Sequence, residues 1–536
     1  MSSSSTAALL CLFSGLLLYL YIRMNDAKLM QLPHEVASAF SPKRISAKDA
    51  LEAAAISKNT ILESKTFLPP RTGRRYIVVG GAGFLGGWIV RHLLERGEDP
   101  KRIRVLDVRA PTRGDLITGL GRHVDFHLAD ISDREQVLAA FNSPWPSSIH
   151  GNEAEEVRTE ITVFHTAANI RFYERDPRLQ HLSDKVNVEG TRNVLDAARA
   201  AGVTVLIYTS SGSVSIRRTR LWLWPWEKRP EFSVQIIDDD DRRVLPRCHD
   251  EMFSNYAVSK FRAERHVRAA DRTPLASSSS NSNSNTKSAQ VLRTGCLRPG
   301  NGIYGTGGDM LCGAYLARQV NPSWVQDILQ NFIYVENASL AHMCYEQRLI
   351  EQVQGSTNPD VGGQAFGIVD AGPPLTYGDV YTVLTTLTDG RTVFPRLSAT
   401  AMLMLSQMFE GLYLLQSFTA SSSNSFLRRL GRLVPAPTGG LINLQPSLFF
   451  LTMVHLIWDD SRARTSPENG GLGYEPQWTT LGALCKLVEE HQKAEGRVEG
   501  RSMNGGIGLG FGMGAASRGV EKVMEDFSSD AALLNG

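Results

Sequence analysis

Cysteine is scarce in this chain, which has six among its 536 residues. They lie far apart and form no C-x-x-C pair: Cys11, Cys248, Cys296, Cys312, Cys344 and Cys485. Disulfide scaffolds, zinc knuckles and iron–sulfur clusters need closely spaced cysteines, so this spacing argues against all three, and no metal site is predicted. The scarcity of cysteine suits a reducing compartment.

The chain also has almost no excess of charge, because 57 Lys and Arg residues stand against 55 Asp and Glu residues, a net of +2. A nearly neutral chain has no overall attraction for nucleic acid, so we expect no nucleic-acid partner. Hydrophobic residues make up 42% and charged residues 21% of the chain, which is the composition of a globular protein. The length fits one large domain or two ordinary ones.

Charge is absent altogether from residues 7–22, which read AALLCLFSGLLLYLYI. A helix that spans a bilayer needs about 20 apolar residues, and the uncharged residues 2–6 can extend this segment. We therefore predict an uncleaved single-pass membrane anchor over residues 1–23, with the body of the chain in the cytosol, and a spacer over residues 24–73. A cleaved signal peptide and a buried helix stay open as alternatives.

Short apolar, β-branched runs such as Tyr76–Val79 alternate with helical patterns over residues 74–300. This alternation predicts an α/β fold in which a Rossmann-type, doubly wound parallel sheet forms a nucleotide-binding domain. Within it, residues 277–288 (SSSSNSNSNTKS) are predicted to be a disordered insert. Residues 301–495 are predicted to form a smaller substrate-binding region, and residues 496–536 a flexible glycine-rich tail.

The strongest local pattern is G-x-x-G-x-x-G, formed by Gly80, Gly83 and Gly86 directly after the first predicted strand. The first glycine permits a tight turn, the second lets the backbone approach a pyrophosphate, and the third lets the helix pack closely on the strand. The helix that begins near Phe84 and Leu85 offers free N–H groups to phosphates. We predict that all five residues bind a dinucleotide.

A carboxylate ends the second predicted strand at Asp107. Such a carboxylate accepts hydrogen bonds from both ribose hydroxyls and repels a 2′-phosphate, which favours NAD over NADP. Arg109 keeps NADP open, since a guanidinium can pair with that phosphate, and a capping role for Asp107 also stays open. Asp130 follows the third strand and is predicted to reach the adenine edge.

A second pattern, Y-x-x-x-K, places Tyr256 and Lys260 on one face of a predicted helix. The lysine ammonium would favour tyrosinate and bring the phenol pKa closer to working pH, or would hold a ribose. Ser211 closes the strand that runs from Val205 to Tyr208, so its hydroxyl can orient a reacting oxygen. If each feature is considered alone, the simpler interpretation of Tyr256 and Lys260 is an exposed pair on a helix, and that of Ser211 is a cap at the end of a strand.

Together these motifs resemble the extended short-chain dehydrogenase/reductases, most of all the branch of 3β-hydroxysteroid dehydrogenases and sterol-4α-carboxylate 3-dehydrogenases (decarboxylating). The resemblance covers about residues 74–490. It rests on VVGGAGFLGGW, VLDVRAP, VFHTAA, NVEGTRNVLDAA, YTSS, YAVSK, LRPGNGIYG, FIYVENASLAH and a final DDSRAR…LGYEPQWT.

The resemblance implies roles for residues at the matching positions. It implies a catalytic set of Ser211, Tyr256, Lys260 and a supporting Asn187. It implies that cofactor-binding residues also include Ala167, beside the cofactor, and Arg298 and Pro299, on the loop over the nicotinamide end. Val79 departs from the threonine usual before the first glycine, and the stretch between Ser211 and Tyr256 is longer than expected.

The substrate is expected to be lipophilic. Trp222, Trp224 and Trp226 stand among cationic residues, a pattern typical of a membrane interface, although a buried aromatic cluster stays equally open. The apolar runs at 402–418 and 448–458 are more typical of a core than of a membrane contact. A membrane is the second expected partner, the branch implies the endoplasmic reticulum, and a homodimer is left open.

The sequence therefore predicts an NAD(P)-dependent oxidoreductase that acts on CH–OH donors. The motifs predict oxidation of a secondary alcohol, and the resemblance implies that this is the 3β-hydroxyl of a sterol or terpenoid, with decarboxylation where the neighbouring carbon bears a carboxylate. Three alternatives stay open: an NADPH-dependent ketone reductase of secondary metabolites, a nucleotide-sugar epimerase or dehydratase, and a non-catalytic nucleotide-sensing membrane protein.

Overall fold

The computed structural model of the chain describes residues 3–59, 66–147, 160–240, 247–275, 290–300, 302–431, 433 and 439–494. The insert predicted at 277–288 and the tail predicted at 496–536 lie outside the described residues.

Strands and helices alternate through the first part of the described chain. The strands are β1 (Arg75–Val79), β2 (Ile103–Asp107), β3 (Asp125–Leu128), β4 (Ile161–His165), β5 (Val203–Thr209), β6 (Val234–Ile237), β7 (Thr273–Pro274), β8 (Val291–Pro299), β9 (Ile303–Tyr304), β10 (Leu329–Gln330), β11 (Ile333–Tyr334), β12 (Ala365–Ile368), β13 (Leu375–Thr376) and β14 (His455–Trp458).

The helices carry the following bounds. They are α1 (Ser3–Leu29), α2 (His34–Phe40), α3 (Ala47–Asn59), α4 (Phe84–Glu95), α5 (Gly114–Ile117), α6 (Arg134–Asn142), α7 (Gln180–Asp184), α8 (Thr191–Ala200), α9 (Asn255–Ala269), α10 (Cys312–Arg318), α11 (Val335–Val353), α12 (Tyr377–Leu387), α13 (Ala399–Ala420), α14 (Ser425–Gly431), α15 (Pro446–Thr452), α16 (Ser461–Arg464) and α17 (Thr480–Lys493).

The large sheet is parallel along the order β12-β8-β5-β4-β1-β2-β3, and β7 pairs antiparallel with β8 at its side. The strand order reverses between β1 and β4, which leaves a crevice at their carboxyl ends where such sheets bind ligands. The Rossmann-type fold predicted from the sequence is confirmed. In β1 every residue from Tyr76 to Val79 is buried, as expected for a parallel strand that is covered on both faces.

Helices cover both faces of this sheet. On one face α11 packs against α4, β5 and β8, and on the other α8 and α9 pack against the sheet with α6 beside α8. The side chains of β1 alternate between the two cores: Tyr76 and Val78 belong to the cluster under α4, and Ile77 and Val79 to the opposite one. This double covering is what fixes the position of the strand ends that form the site.

A smaller sheet, ordered β13-β10-β14-β6, lies in the second part of the chain. The predicted division at residues 300 and 301 does not follow the two sheets. β12, from the predicted substrate-binding region, is an edge strand of the large sheet, and β6, from the long stretch between Ser211 and Tyr256, pairs with β14 in the small one. The additional length of that stretch is thus used to build an edge strand of the second sheet.

The N-terminal helix α1 continues through the predicted anchor into the predicted spacer. It is long and apolar enough to cross a membrane by length and composition. The described part of the predicted spacer is not a free connector, because it packs on the body of the chain. Asn25 is fully buried, and α3 packs against α12 and α17.

One carboxylate joins this N-terminal segment to the body. Asp379, at the start of α12, accepts hydrogen bonds from Arg44 Nη1 at 2.7 Å and from the Ile45 backbone N–H at 2.8 Å. It also accepts from the Thr376 backbone N–H at 2.9 Å and so completes a capping box.

We expect Asp379→Ala to lower the free energy of unfolding by about 2–4 kcal/mol, because it leaves the buried N–H of Thr376 and the partly buried N–H of Ile45 without an acceptor. Urea unfolding of the full chain in detergent measures this loss. The control is Asp327→Ala, which removes a half-exposed ion pair with Arg396 and should cost less than about 1 kcal/mol. Equal losses in the two variants would contradict the role given to Asp379.

Candidate active site

A cavity of about 830 Å³ lies at the carboxyl ends of the parallel strands. Its lining includes the end of β2, the turn after β1, the loops after β4 and β5, and the start of α9. Of the predicted site residues, these line it: Gly80, Gly83, Phe84, Leu85, Gly86, Asp107, Asp130, Ala167, Ser211, Tyr256, Lys260 and Pro299. The structure therefore brings together residues that the sequence spreads over more than 200 positions.

The glycine turn is close-packed against the neighbouring strand loop. Gly80 has a φ of +84°, and a Cβ built there would lie 2.7 Å from the Ala167 backbone nitrogen. A Cβ on Gly86 would lie 2.2 Å from the carbonyl oxygen of Gly80. Gly83 is the N-cap of α4 and has no side chain between the helix N-terminus and the cavity. Side chains are thus excluded where a phosphate would meet backbone N–H groups.

The two carboxylates that are predicted to bind the nucleoside, Asp107 and Asp130, lie at or just after the ends of β2 and β3. These strands lie on the opposite side of β1 and β4 from β5, which precedes Ser211. Asp107 ends β2 and accepts hydrogen bonds from the Ala82 N–H at 3.2 Å and the Arg109 N–H at 3.1 Å. Asp130 accepts from the Ser132 N–H at 2.8 Å. Asp107 therefore links β2 to the glycine turn. Its carboxylate lines the cavity, and the neighbouring exposed Arg109 lines it as well.

Tyr256 lies in the first turn of α9 and is 9% exposed. Burial raises the pKa of its phenol to about 12, and a hydrogen bond with Ser211 opposes that rise. Ser211 follows β5 by two residues, and its hydroxyl also accepts a hydrogen bond from the Ser213 N–H at 3.2 Å. The strand-end hydroxyl and the phenol therefore lie within hydrogen-bonding reach of each other.

Lys260 lies one helical turn after Tyr256 and is almost fully buried. Its Nζ donates a hydrogen bond to the Thr209 carbonyl oxygen at 2.6 Å and lies 4.2 Å from the centre of the Tyr208 ring. Burial lowers the pKa of this ammonium to about 7. The predicted lowering of the Tyr256 pKa by Lys260 is not found, because desolvation of the phenolate dominates and the ammonium is directed at Thr209.

Asn187 lies behind the cavity, in the π-helical turn Lys185–Gly190. Its side chain accepts from the Asn169 N–H at 2.7 Å and donates to the Asn169 carbonyl at 2.9 Å and to the Ser259 Oγ at 2.8 Å. Asn169 itself lines the cavity. The asparagine thus connects the loop after β4 to α9 one residue before Lys260. This is a positioning role rather than contact with the cavity.

Arg298 does not line the cavity as predicted, although Pro299 does. Its guanidinium is 1% exposed and donates through Nε to Glu264 Oε2 at 3.0 Å. Ser210 donates to the same carboxylate oxygen at 2.6 Å. The prediction was wrong for Arg298 because the carboxylate of Glu264 on α9 holds its side chain away from the cavity. Ser210, which shares that carboxylate, does line the cavity.

Several lining residues were missed by the sequence analysis. Thr166 directly follows β4 and could have been found from its place at a strand end. Phe253 and Leu451 are apolar residues from distant segments, and no local pattern marks them as lining the site. His165 and His342 are fully buried and do not line the cavity; they hydrogen-bond Thr191 and Thr209 at 3.0 Å and 2.7 Å, which are structural contacts.

Comparison with known proteins gives one family match and several similar sequences. The model of the 3-beta hydroxysteroid dehydrogenase/isomerase family matches residues 77–392. The chain is 26% identical over 299 residues to a decarboxylating sterol-4-alpha-carboxylate 3-dehydrogenase of Schizosaccharomyces pombe, covering 55% of this chain and 69% of that protein.

Two further relatives are similar to a comparable degree. The decarboxylating sterol-4-alpha-carboxylate 3-dehydrogenase of Candida albicans is 27% identical over 307 residues, with 55% of this chain and 70% of that protein covered. The 3 beta-hydroxysteroid dehydrogenase type 7 of Mus musculus is 28% identical over 314 residues, with 57% and 70% covered.

We expect Gly86→Ala to lower the free energy of unfolding by about 1–3 kcal/mol, because the added methyl group would meet the backbone oxygen of Gly80, which cannot move away cheaply. The matched control is Gly411→Ala in α13, where a Cβ has no neighbour within 4 Å. That change should leave stability unchanged or raise it by up to about 1 kcal/mol. Urea unfolding of both variants checks this, and a tolerated Gly86→Ala would contradict the close packing of the turn.

The buried lysine also predicts a pH dependence of stability. The pKa of Lys260 is about 7 in the folded chain against an ordinary 10.5, so between these values the unfolded chain binds more protons. Stability contributed by this site should therefore rise with pH from about 7 to 10 and be constant below 7.

Urea unfolding of the wild type and Lys260→Met across this range, without added nucleotide, measures the difference. The free energy of unfolding of the wild type, relative to that of Lys260→Met, should increase as pH rises. Lys185→Met, which removes an exposed lysine, should give a difference that does not change with pH. A flat difference for Lys260→Met would contradict the shifted pKa.

Proposed function

The chain belongs to the 3-beta hydroxysteroid dehydrogenase/isomerase family, and from that premise we propose that it oxidises the 3β-hydroxyl of a sterol with NAD. The observation that carries this proposal is one cavity lined both by the glycine turn and by Ser211, Tyr256 and Lys260. A dinucleotide site and a proton-transfer site in a single cavity are what an alcohol dehydrogenase needs. The chain is an oxidoreductase that acts on CH–OH donors.

The residues present fit a dinucleotide. The space beside Gly80 and Gly86 would be lost to a side chain, since a Cβ at either position meets backbone atoms. The N-terminus of α4 would hold the pyrophosphate, and Asp107 would accept hydrogen bonds from the ribose hydroxyls and disfavour a 2′-phosphate. Arg109 lines the same end of the cavity, so NADP is compared with NAD in the assay below.

When bound, NAD supplies an acceptor for the hydride that leaves the carbinol carbon of the substrate. Ser211 orients the substrate hydroxyl by a hydrogen bond to its oxygen. Tyr256 receives the hydroxyl proton at its phenolic oxygen, for which the phenol must first be ionised. Burial raises the free-energy cost of this ionisation. The hydrogen bond with Ser211 lowers it.

Lys260 assists in two ways in this proposal. Its ammonium lies four residues after Tyr256 on the same face of α9, where it would hold the ribose of the bound dinucleotide. Its hydrogen bond to the Thr209 carbonyl fixes the side chain at the end of β5, next to the loop that carries Ser211.

Decarboxylation needs no further catalytic group. If the carbon next to the carbinol bears a carboxylate, oxidation yields a β-keto acid. The bond to the carboxylate carbon then breaks, carbon dioxide leaves, and the electron pair moves onto the ketone oxygen as an enolate. Ser211 and Tyr256, which would contact that oxygen during the oxidation, can donate hydrogen bonds to it as its negative charge develops.

The lining supports a lipophilic substrate. Away from the glycine turn, apolar side chains contribute much of the wall, among them Phe172, Phe253, Met310 and Leu451. The exposed apolar face of α1 supports attachment to a membrane, from which a sterol would be delivered. We propose a single-pass anchor in the endoplasmic reticulum with the catalytic body in the cytosol.

The test uses the purified full chain in detergent with NAD or NADP and a sterol that carries a ¹⁴C-labelled 4-carboxylate. We expect reduced nicotinamide and released carbon dioxide in equal amounts, with NAD preferred. Tyr256→Phe should lower kcat by about 10²- to 10⁴-fold, because it removes the proton acceptor. Tyr19→Phe, an exposed tyrosine of α1, is the matched control and should keep full activity.

The other outcomes separate the alternatives. A ketone that retains its carboxylate would reject decarboxylation, and turnover of a sugar nucleotide but no sterol would support an epimerase. Preference for NADPH with a ketone substrate would support a reductase. Full activity of Tyr256→Phe would overturn the proposed proton acceptor, and a chain inactive on every substrate would support nucleotide sensing.

A further inference from the structure

A second cavity, of about 360 Å³, lies outside the candidate active site and is rich in arginine. Arg175, Arg217, Arg218 and Arg220 all contribute to its wall, together with apolar side chains that include Leu221. Helix α15 contributes to both cavities, since Phe450 lines the arginine-rich cavity and the next residue, Leu451, lines the larger one.

The wall of this cavity is attached to the end of α1. Asn25 donates to the Leu221 carbonyl at 3.1 Å and accepts from the Leu223 N–H at 3.3 Å. Lys28 donates to the Trp224 and Pro225 carbonyls at 3.2 Å and 2.8 Å. The last two turns of α1 therefore hold the segment 221–225 in place, and the cavity lies where the helix leaves the body.

This position is next to the surface of the proposed membrane. The large apolar residues of α1 from Leu9 to Leu20 are between 48% and 72% exposed, whereas Asn25 is fully buried. At 1.5 Å per residue, the helix before residue 23 is about 30 Å long, the thickness of the hydrocarbon core of a bilayer. Trp224 and Trp226 are 57% and 75% exposed, in the manner of tryptophans at the headgroup level.

Two of the four arginines already have carboxylate partners. Arg175 forms a two-point ion pair with Glu410 at 2.6 Å, and Arg220 pairs with Glu227. The other two lie over aromatic rings: Arg217 is 5.2 Å from the ring centre of Phe232, and Arg218 is 4.3 Å from that of Phe450. Within the described residues, no carboxylate lies within 4 Å of the guanidinium nitrogens of Arg217 or Arg218.

Among the described residues, the two acidic residues of the wall form no close ion pair with Arg217 or Arg218. Asp250 has a side chain that is 89% exposed, and Glu251 accepts from the Cys248 N–H at 3.0 Å. Burial, and then the like charge of Arg175, lower the pKa of Arg218, and the smaller opposing effects of Asp250 and Glu410 do not cancel this. A guanidinium whose charge is disfavoured in this way would gain from an anion in the cavity.

We propose that this cavity binds the anionic headgroup of a phospholipid of the membrane that holds α1, with Arg217 and Arg218 donating hydrogen bonds to its phosphate. Planar guanidinium groups recognise phosphate by paired hydrogen bonds, and the apolar wall suits the glycerol end of the lipid. The inference rests on the membrane anchoring proposed above. A bound headgroup would fix the body against the bilayer on the side of the arginine-rich cavity.

Native mass spectrometry of the full chain in a non-ionic detergent tests the proposal. The probes are dioctanoyl phosphatidylinositol, dioctanoyl phosphatidylcholine and inorganic phosphate. We expect one phosphatidylinositol to bind at least about tenfold more tightly than phosphatidylcholine, and inorganic phosphate at millimolar concentration not to displace it. Equal binding of the two lipids, or displacement of phosphatidylinositol by millimolar inorganic phosphate, would overturn the assignment to an anionic phospholipid.

The variant Arg217→Ala/Arg218→Ala should weaken binding of phosphatidylinositol by at least about tenfold. The matched control, Arg192→Ala/Arg199→Ala, removes two exposed arginines of α8 outside the cavity and should bind as the wild type does. Arg217→Lys/Arg218→Lys keeps the charge and should fall between them, which guards against a variant that fails to fold. Unchanged binding in the double alanine variant would overturn the proposal.

Carbonate extraction of membranes that contain the same variants separates this inference from the anchoring itself. The double alanine variant should stay in the membrane fraction, because α1 is intact. Release of the wild-type chain by carbonate would instead reject the anchor.

Discussion

The candidate active site depends on one buried hydrogen bond, which Lys260 Nζ donates to the carbonyl oxygen of Thr209 at 2.6 Å. It joins α9 to the last residue of β5, where the chain turns to present Ser211. Because Tyr256 lies one turn earlier on the same helix, this contact places phenol and hydroxyl at the same end of the sheet. A charged group is costly to bury, and the lowered pKa of Lys260 is the sign of that cost.

Two other contacts hold this arrangement from behind. Asn187 connects the loop after β4 to Ser259, the neighbour of Lys260, and Glu264 joins Ser210 to Arg298 through a buried ion pair. Both lie beneath the cavity rather than in it. The site is therefore positioned by polar contacts that are shielded from water. Such contacts restrict the conformations of the side chains that line the cavity.

Much of this could be predicted from the sequence, because the relevant signals are local. The glycine turn, the carboxylate at Asp107 and the helical spacing of Tyr256 and Lys260 each follow from a few neighbouring residues, and the structure places all of them in one cavity. Arg298 could not be placed, since its partner Glu264 is remote in sequence and decides where the guanidinium lies. The pKa of Tyr256 was misjudged for a related reason: burial is a property of the folded chain.

The division into domains could also be predicted only in part from the sequence. Strand–helix alternation predicted the large sheet, but nothing local shows that the stretch before Tyr256 supplies β6 to the small sheet, or that β12 returns to the large one. At the N-terminus, the apolar run predicted the helix α1. The contacts of Asn25 and Lys28 with residues 221–225, which seat the helix on the body, join segments about 200 residues apart.

The central claim is that this cavity removes a hydride from a sterol carbinol carbon. The most direct measurement uses a 4-carboxysterol that carries deuterium on the carbinol carbon and follows the isotope by mass spectrometry. The account predicts that one deuterium per turnover appears in the reduced dinucleotide and that the carbinol carbon of the product has lost it. Deuterium that stays on the sterol, or that exchanges into water, would contradict it.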